Sequence, residues 1–243
     1  MKVDILAIAA HPDDVELSCC GTLLRHIDQG YSVGLLDLTR GELGTRGSAE
    51  LRDQEAENAR QIMGALFRKN LALPDGFFAH QRETLLRIIE VIRFCQPSVV
   101  LANAPRDRHP DHGRASKIIS DACYFSGLSK IQTSHTDGSF QEKWRPDAVY
   151  HYIQDYFLEP DFVVDITDYL ERKFECIKAF KSQFHLPDEA EYKDEEQTPI
   201  SGADFMEFLR SRGRDFGRPA GFDYAEGFVV DRTLGIRNLF DLA

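Results

Sequence analysis

The chain has 243 residues, with 40 acidic against 29 basic side chains and a formal charge of -11. That surplus argues against nucleic acid or an anionic membrane surface as the main partner. With 42% hydrophobic and 28% charged residues, it reads as a soluble globular enzyme whose core needs neither disulfides nor a structural metal. No apolar run approaches about 18 residues, so no transmembrane helix is expected. Met1-Lys2-Val3-Asp4 leads straight into a strand without a signal-peptide pattern, which reads as cytoplasmic. Cys19, Cys20, Cys95, Cys123 and Cys176 form no CxxC pair and read as reduced packing residues.

Val3 to Ala10 is a nearly continuous apolar run, the pattern of a buried parallel strand. Helical spacing of Leu17, Cys20, Leu23, Leu24 and Ile27 predicts a helix from Val15 to Gln29, stopped by Gly30. Tyr31 to Thr39 reads as a second strand. A glycine-punctuated loop, Arg40 to Gly47, leads to a helix capped by Ser48 and running through Met63. Phe67 to Leu73 reads as a strand, Pro74-Asp75-Gly76 as a turn, and Arg82 to Phe94 as a helix. Ser98 to Ala102 is a fourth strand, followed by a polar loop and a helix from Pro110 to Phe125.

These β-α repeats call for an α/β fold, a parallel sheet with helices on both faces. Beyond them, Ala148 to Ile153 and Phe162 to Ile166 read as strands, Thr167 to Ser182 as a helix, and Pro187 to Ile200 as an acidic surface loop. Gly202 to Gly213 reads as a short helix, and the last 20 residues show no clear period. The economical organisation is one domain over 1–243 with C-terminal additions.

In such sheets ligands bind beyond the carboxyl ends of the strands. Two loops there are rich in metal-competent groups: Ala10-His11-Pro12-Asp13-Asp14-Val15-Glu16 after the first strand, and Arg106-Asp107-Arg108-His109-Pro110-Asp111-His112 after the fourth. A catalytic divalent metal needs three protein ligands and an open position for water. His11 and Asp14 can turn inward from one loop, and His112 can complete the set from the other. Asp13 is then left as a general base and His109 as an opposing acid or polarising group, with Asp111 able to hold the second nitrogen of His109. The plain alternative is that each His-Pro-Asp is a turn. The first loop is a poor dinucleotide cradle, because its carboxylates repel phosphate and GxGxxG is absent.

The two loops resemble the paired signatures of the zinc-dependent N-acetylglucosaminyl deacetylase (LmbE/PIG-L) family. Thr39-Arg40-Gly41-Glu42-Leu43-Gly44-Thr45-Arg46-Gly47, Glu50-Leu51-Arg52, Ser182-Gln183-Phe184 and Tyr224-Ala225-Glu226-Gly227-Phe228 resemble its bacillithiol-biosynthesis branch. The resemblance implies a Rossmann-like fold, often hexameric, that hydrolyses N-acetylglucosaminyl-malate to glucosaminyl-malate and acetate. It implies zinc on His11, Asp14 and His112, with Asp13 as base and His109 as electrophilic or acid partner. A His-Asp-His set also accommodates ferrous iron or cobalt.

Arg52 and Arg108 match branch arginines that look like sugar and malate contacts, and bidentate recognition of carboxylates suits arginine. The bland reading of Arg52 is a helix-surface ion pair with Glu55. Glu42 is a candidate acceptor for sugar hydroxyls. The run Arg210, Arg212, Arg214 and Arg218 reads as a solvated face or subunit contact, or else as a lid that draws in an anionic substrate. His26, His80, His135, His151 and His185 have no matched partner and read as non-functional. Competing functions are a deacetylase of another N-acetylglucosamine conjugate or of bacillithiol S-conjugates, a non-catalytic sugar-binding protein, and a metal-dependent phosphoesterase.

Overall fold

The computed structural model describes residues 2–184 and 196–242. The acidic stretch from Pro187 and His185 thus fall wholly or partly outside the described residues. Seven strands form one sheet in the order β3-β2-β1-β4-β5-β7-β6. Strands β1 (Ile5–Ala9), β2 (Val33–Asp37), β3 (Phe67–Asn70), β4 (Val99–Ala102) and β5 (Ala148–Tyr152) run parallel, as expected. The last two do not. β7 (Ala225–Val230) lies between β5 and β6 (Phe162–Asp165) and is antiparallel to both, so the sheet is mixed.

Every residue of β1 is buried, because helices cover both faces. Leu6 and Ile8 pack in the core under α4 (Arg82–Cys95) and α5 (Pro110–Ser126). Ile5, Ala7 and Ala9 pack on the opposite side with Cys19, Cys20, Leu23 and Leu24. All five cysteines are buried as free thiols, in keeping with a packing role. Among the described residues, no helix is long and apolar enough to cross a membrane.

The expected first helix is two, α1 (Asp14–Ser18) and α2 (Cys20–Asp28), broken at Cys19 by its non-helical backbone. Ser48 caps α3 (Ala49–Met63) by accepting from the Leu51 amide, and Gly64 ends it in the left-handed region. The expected Thr167 to Ser182 helix is shorter: a 3-10 turn precedes α6 (Leu170–Lys178). The C-terminal helix α7 (Phe205–Gly217) begins and ends later than its sequence signals. Strand order reverses between β1 and β4, which opens a crevice where their two loops emerge.

Candidate metal centre and its pocket

A cavity of about 320 Å³ occupies that crevice, and His11, Asp13, Asp14, His109 and His112 all line it. The first loop is held tightly. The Ala10 amide donates to Asn103 Oδ1 and the His11 amide to Asp14 Oδ2, at 2.9 and 3.0 Å. Asp13 takes a positive φ of 111° at the start of α1, which drives its carboxylate into the cavity rather than along the helix. Glu16 points the other way, into the core, where Arg68 Nη1 donates to it at 2.6 Å.

His112 Nε2 lies 3.1 Å from Asp14 Oδ1, and His11 Nδ1 lies 3.7 Å from Asp14 Oδ2. The far nitrogen of each ring is held by another carboxylate, His11 Nε2 by Asp75 at 3.0 Å and His112 Nδ1 by Asp107 at 2.5 Å. Metal-ligating histidines are oriented in this way. One donor atom each from His11, His109 and His112 falls within 4.8 Å of the others, and so does a second group, His11, Asp75 and Asp111. Neither group includes Asp14, which nonetheless lies against both rings, so the set that could hold a single divalent cation is drawn from these buried nitrogen and oxygen donors, with Asp75 and Asp107 behind the imidazoles of His11 and His112.

The electrostatics agree with a crowded polar centre. Burial alone would depress His11, but hydrogen bonds to Asp111 and Asp75 and the charge of Asp14 raise it to about 10. His112 is likewise desolvated, yet Asp14 and Asp107 lift it to about 9. Asp14 is desolvated too, but the neighbouring histidines hold it well below the usual carboxylate range. Burial pushes Asp13 up to about 7, against the pull of the Arg52 charge. His109 is lowered by burial and by the charges of His11 and His112.

Two expectations need correction. The Asp111 carboxylate does not orient His109; it accepts from the Gly76 amide at 2.9 Å and from Arg114 at 2.5 Å. It is the Asp111 backbone N–H that donates to His109 Nδ1, at 3.2 Å, because His109 is the N-cap of α5. The neutral ring therefore carries its proton on Nε2. Glu42 is not among the residues that line the cavity; its carboxylate accepts from the Asp75 amide at 2.9 Å and fixes that turn.

The arginines divide. Arg52 is buried and lines the cavity, donating to the Gly41 carbonyl and to Gln183 Oε1. The loop needs its glycines here, since a Cβ on Gly41 or Gly44 would collide with the Arg52 guanidinium. Glu55 is not its partner; that carboxylate accepts from the Ser182 amide and hydroxyl. Arg108 also lines the cavity, but its side chain is 42% exposed and pairs with Asp155 at 3.2 Å.

Sequence reading missed four residues. Asp75 and Asp107 hold the imidazoles. Asn103 Nδ2 donates to Asp14 Oδ2 at 2.9 Å, and Gln154 Nε2 donates to Asp14 Oδ1 at 3.1 Å. Asp107 lay inside the second loop and was open to assignment; Asn103 and Gln154 follow β4 and β5 singly, with no spacing to mark them.

Comparison with known proteins accords with this geometry. The model of the PIG-L family, GlcNAc-PI de-N-acetylase, matches residues 6–123. The crystal structure of a conserved protein from Thermus thermophilus superposes with a TM-score of 0.83 at 35% identity, covering 97% of this chain and 98% of that one. Diacetylchitobiose deacetylase of Thermococcus kodakarensis is 28% identical over 234 residues, 92% of this chain and 81% of that protein. A Bacillus anthracis protein named "Probable N-acetyl-alpha-D-glucosaminyl L-malate deacetylase 2" is 24% identical over 195 residues, 74% of this chain and 81% of its own length. With the paired loops converging on one cavity, these likenesses make the chain a member of the PIG-L/LmbE deacetylase family.

Proposed function

We propose that this protein hydrolyses the N-acetyl group of an N-acetylglucosamine conjugate, and that the conjugate is N-acetylglucosaminyl-malate. The observation that carries this reading is the convergence of a cation-fitting His11–Asp14–His112 set with Asp13 and His109 in one cavity. A divalent cation held there, zinc in this reading, supplies Lewis acidity toward the amide carbonyl and the attacking water.

The chain's own groups do the rest. Asp13, raised to about 7, is close to the working pH at which a carboxylate is an effective base, and it takes the proton of the attacking water. His109 Nε2–H donates to the carbonyl oxygen as negative charge gathers on it, with the ring fixed by the Asp111 amide. The proton held on Asp13 then passes to the nitrogen as the C–N bond breaks, releasing acetate and the free amine. Arg52 gives the cavity a guanidinium for the conjugate's carboxylates.

The malate conjugate is favoured by that guanidinium and by the resemblance of the chain to the Bacillus anthracis protein. A neutral chito-oligosaccharide is the competing substrate, after the Thermococcus kodakarensis relative. Acetate release from N-acetylglucosaminyl-malate and from N,N'-diacetylchitobiose, by protein stripped of metal and reloaded with zinc, ferrous iron or cobalt, tests the reading. A preference for the neutral disaccharide removes the malate assignment, and no metal-dependent release from either removes the deacetylase.

A further inference from the structure

Within the arginine-rich run, three side chains have different fates. Arg210 lies on the outside and pairs with Glu171 at 2.8 Å. Arg214 stacks its guanidinium on the Tyr224 ring, with 5.2 Å to the centroid. Arg212 alone of the four in the run lines the active-site cavity. It emerges from α7 across the ring of Phe208, which lines the same cavity, at 5.6 Å.

Arg212 donates to the Gln154 carbonyl and, at 3.0 Å, to the Leu17 carbonyl. Those two bonds engage two of its five N–H groups, and no carboxylate pairs with it among the described residues. The nearby acids are committed elsewhere: Asp155 to Arg108, Asp107 to His112, and Glu226 to Lys173. Arg93 is a useful contrast. It also lacks a carboxylate and is more deeply buried than the part-buried Arg212, but it makes four hydrogen bonds, to Ser126, Ile131, Thr133 and Leu128, and serves as a structural staple. A guanidinium held at a cavity wall with free donors and no counter-charge is costly unless a ligand brings the anion.

We infer that Arg212 is a specificity-determining residue, the fork that receives a carboxylate of the substrate's aglycone while the sugar lies toward His109 and Asp13. The inference rests on the deacetylase reading above and adds to Arg52 a second residue that discriminates an anionic from a neutral conjugate, one for each malate carboxylate. The carbonyls of Leu17 and Gln154 fix the plane of the fork, so a carboxylate meets a donor set already oriented.

The test compares wild type with Arg212→Lys and Arg212→Gln, all metal-loaded, on N-acetylglucosaminyl-malate and on N,N'-diacetylchitobiose. Loss of a charge-assisted bidentate contact predicts that kcat/KM for the malate conjugate falls roughly 10- to 150-fold further than for the neutral disaccharide. Equal proportional losses overturn the inference and leave Arg212 a positioning residue for Gln154. A binding measurement needs no Arg212 variant. In a metal-loaded Asp13→Asn protein, calorimetry should find the malate conjugate bound at least about 10-fold more tightly than its dimethyl ester. Equal affinity overturns the inference. If wild type releases acetate from neither substrate, it is the deacetylase reading that fails.

Discussion

Arg68 Nη1 lies 2.6 Å from Glu16 Oε1, so the edge strand β3 is tied to the helix that carries Asp14. The same guanidinium grips Asp37 with two further bonds, at 2.6 and 2.9 Å, and all three side chains are buried. Replacing Arg68 with Met would strand two carboxylates in the core. Breaking a buried network in this way costs about 3–5 kcal/mol. Urea unfolding of Arg68→Met should show that loss, and an unchanged midpoint would mean that water reaches the carboxylates.

A second prediction concerns protons and metal. The carboxylates raise His11 to about 10 and His112 to about 9, so both rings are protonated at neutral pH until a cation displaces the protons. Metal loading at pH 7 should release up to two protons, and apparent affinity should rise with pH until it levels off between about 9 and about 10. Calorimetry in buffers of different ionisation enthalpy counts those protons, and a count near zero excludes these two rings as ligands. The sign for folding is opposite. In metal-stripped protein the raised values stabilise the fold fully below the ordinary histidine value of about 6.5, and that contribution is lost as pH rises through about 9 to about 10.

Asp13 separates binding from chemistry. Asparagine tolerates a positive φ better than most residues, so Asp13→Asn should keep the loop's shape. Turnover should fall roughly 10²- to 10⁴-fold with metal content nearly unchanged. Elemental analysis alongside kinetics decides this, since loss of metal would make Asp13 a ligand instead.

Asp107 would act through His112, one of the proposed ligands, rather than as a ligand itself. Its carboxylate holds His112 Nδ1 and accepts the Tyr156 amide, so Asp107→Ala frees the ring to rotate. Metal affinity should weaken roughly 10- to 100-fold. Competition with a chelator measures the change, whereas His112→Ala should abolish tight binding altogether.

Much of this centre was legible because most of its polar groups are local in sequence. His11, Asp13 and Asp14 follow an apolar strand directly, and His109 and His112 begin one helix, so spacing alone brings them to neighbouring strand ends. Asp75 was not legible. It sits 64 residues from His11 in a Pro-Asp-Gly turn, where aspartate has an ordinary local reason to be. The break at Cys19 was hidden because helical spacing continues across it. β7 escaped because Glu226 and Gly227 interrupt its apolar pattern. Both are explained by contacts distant in sequence: Glu226 accepts from the Gly21 and Thr22 amides, and Gly227 leaves room for Ile153 and Phe216.

That late strand sets an order of assembly. Among the described strands β6 pairs only with β7, and the amides that open α2, just behind the metal loop, are satisfied by a carboxylate roughly 200 positions further along the chain. A nascent chain can therefore build the first five parallel strands while α2 still lacks its cap and β6 its neighbour. Residues 225–230 are the last of these elements to be made, so α2 gains its cap and β6 its neighbour late, after every residue that holds Asp14 has been synthesised.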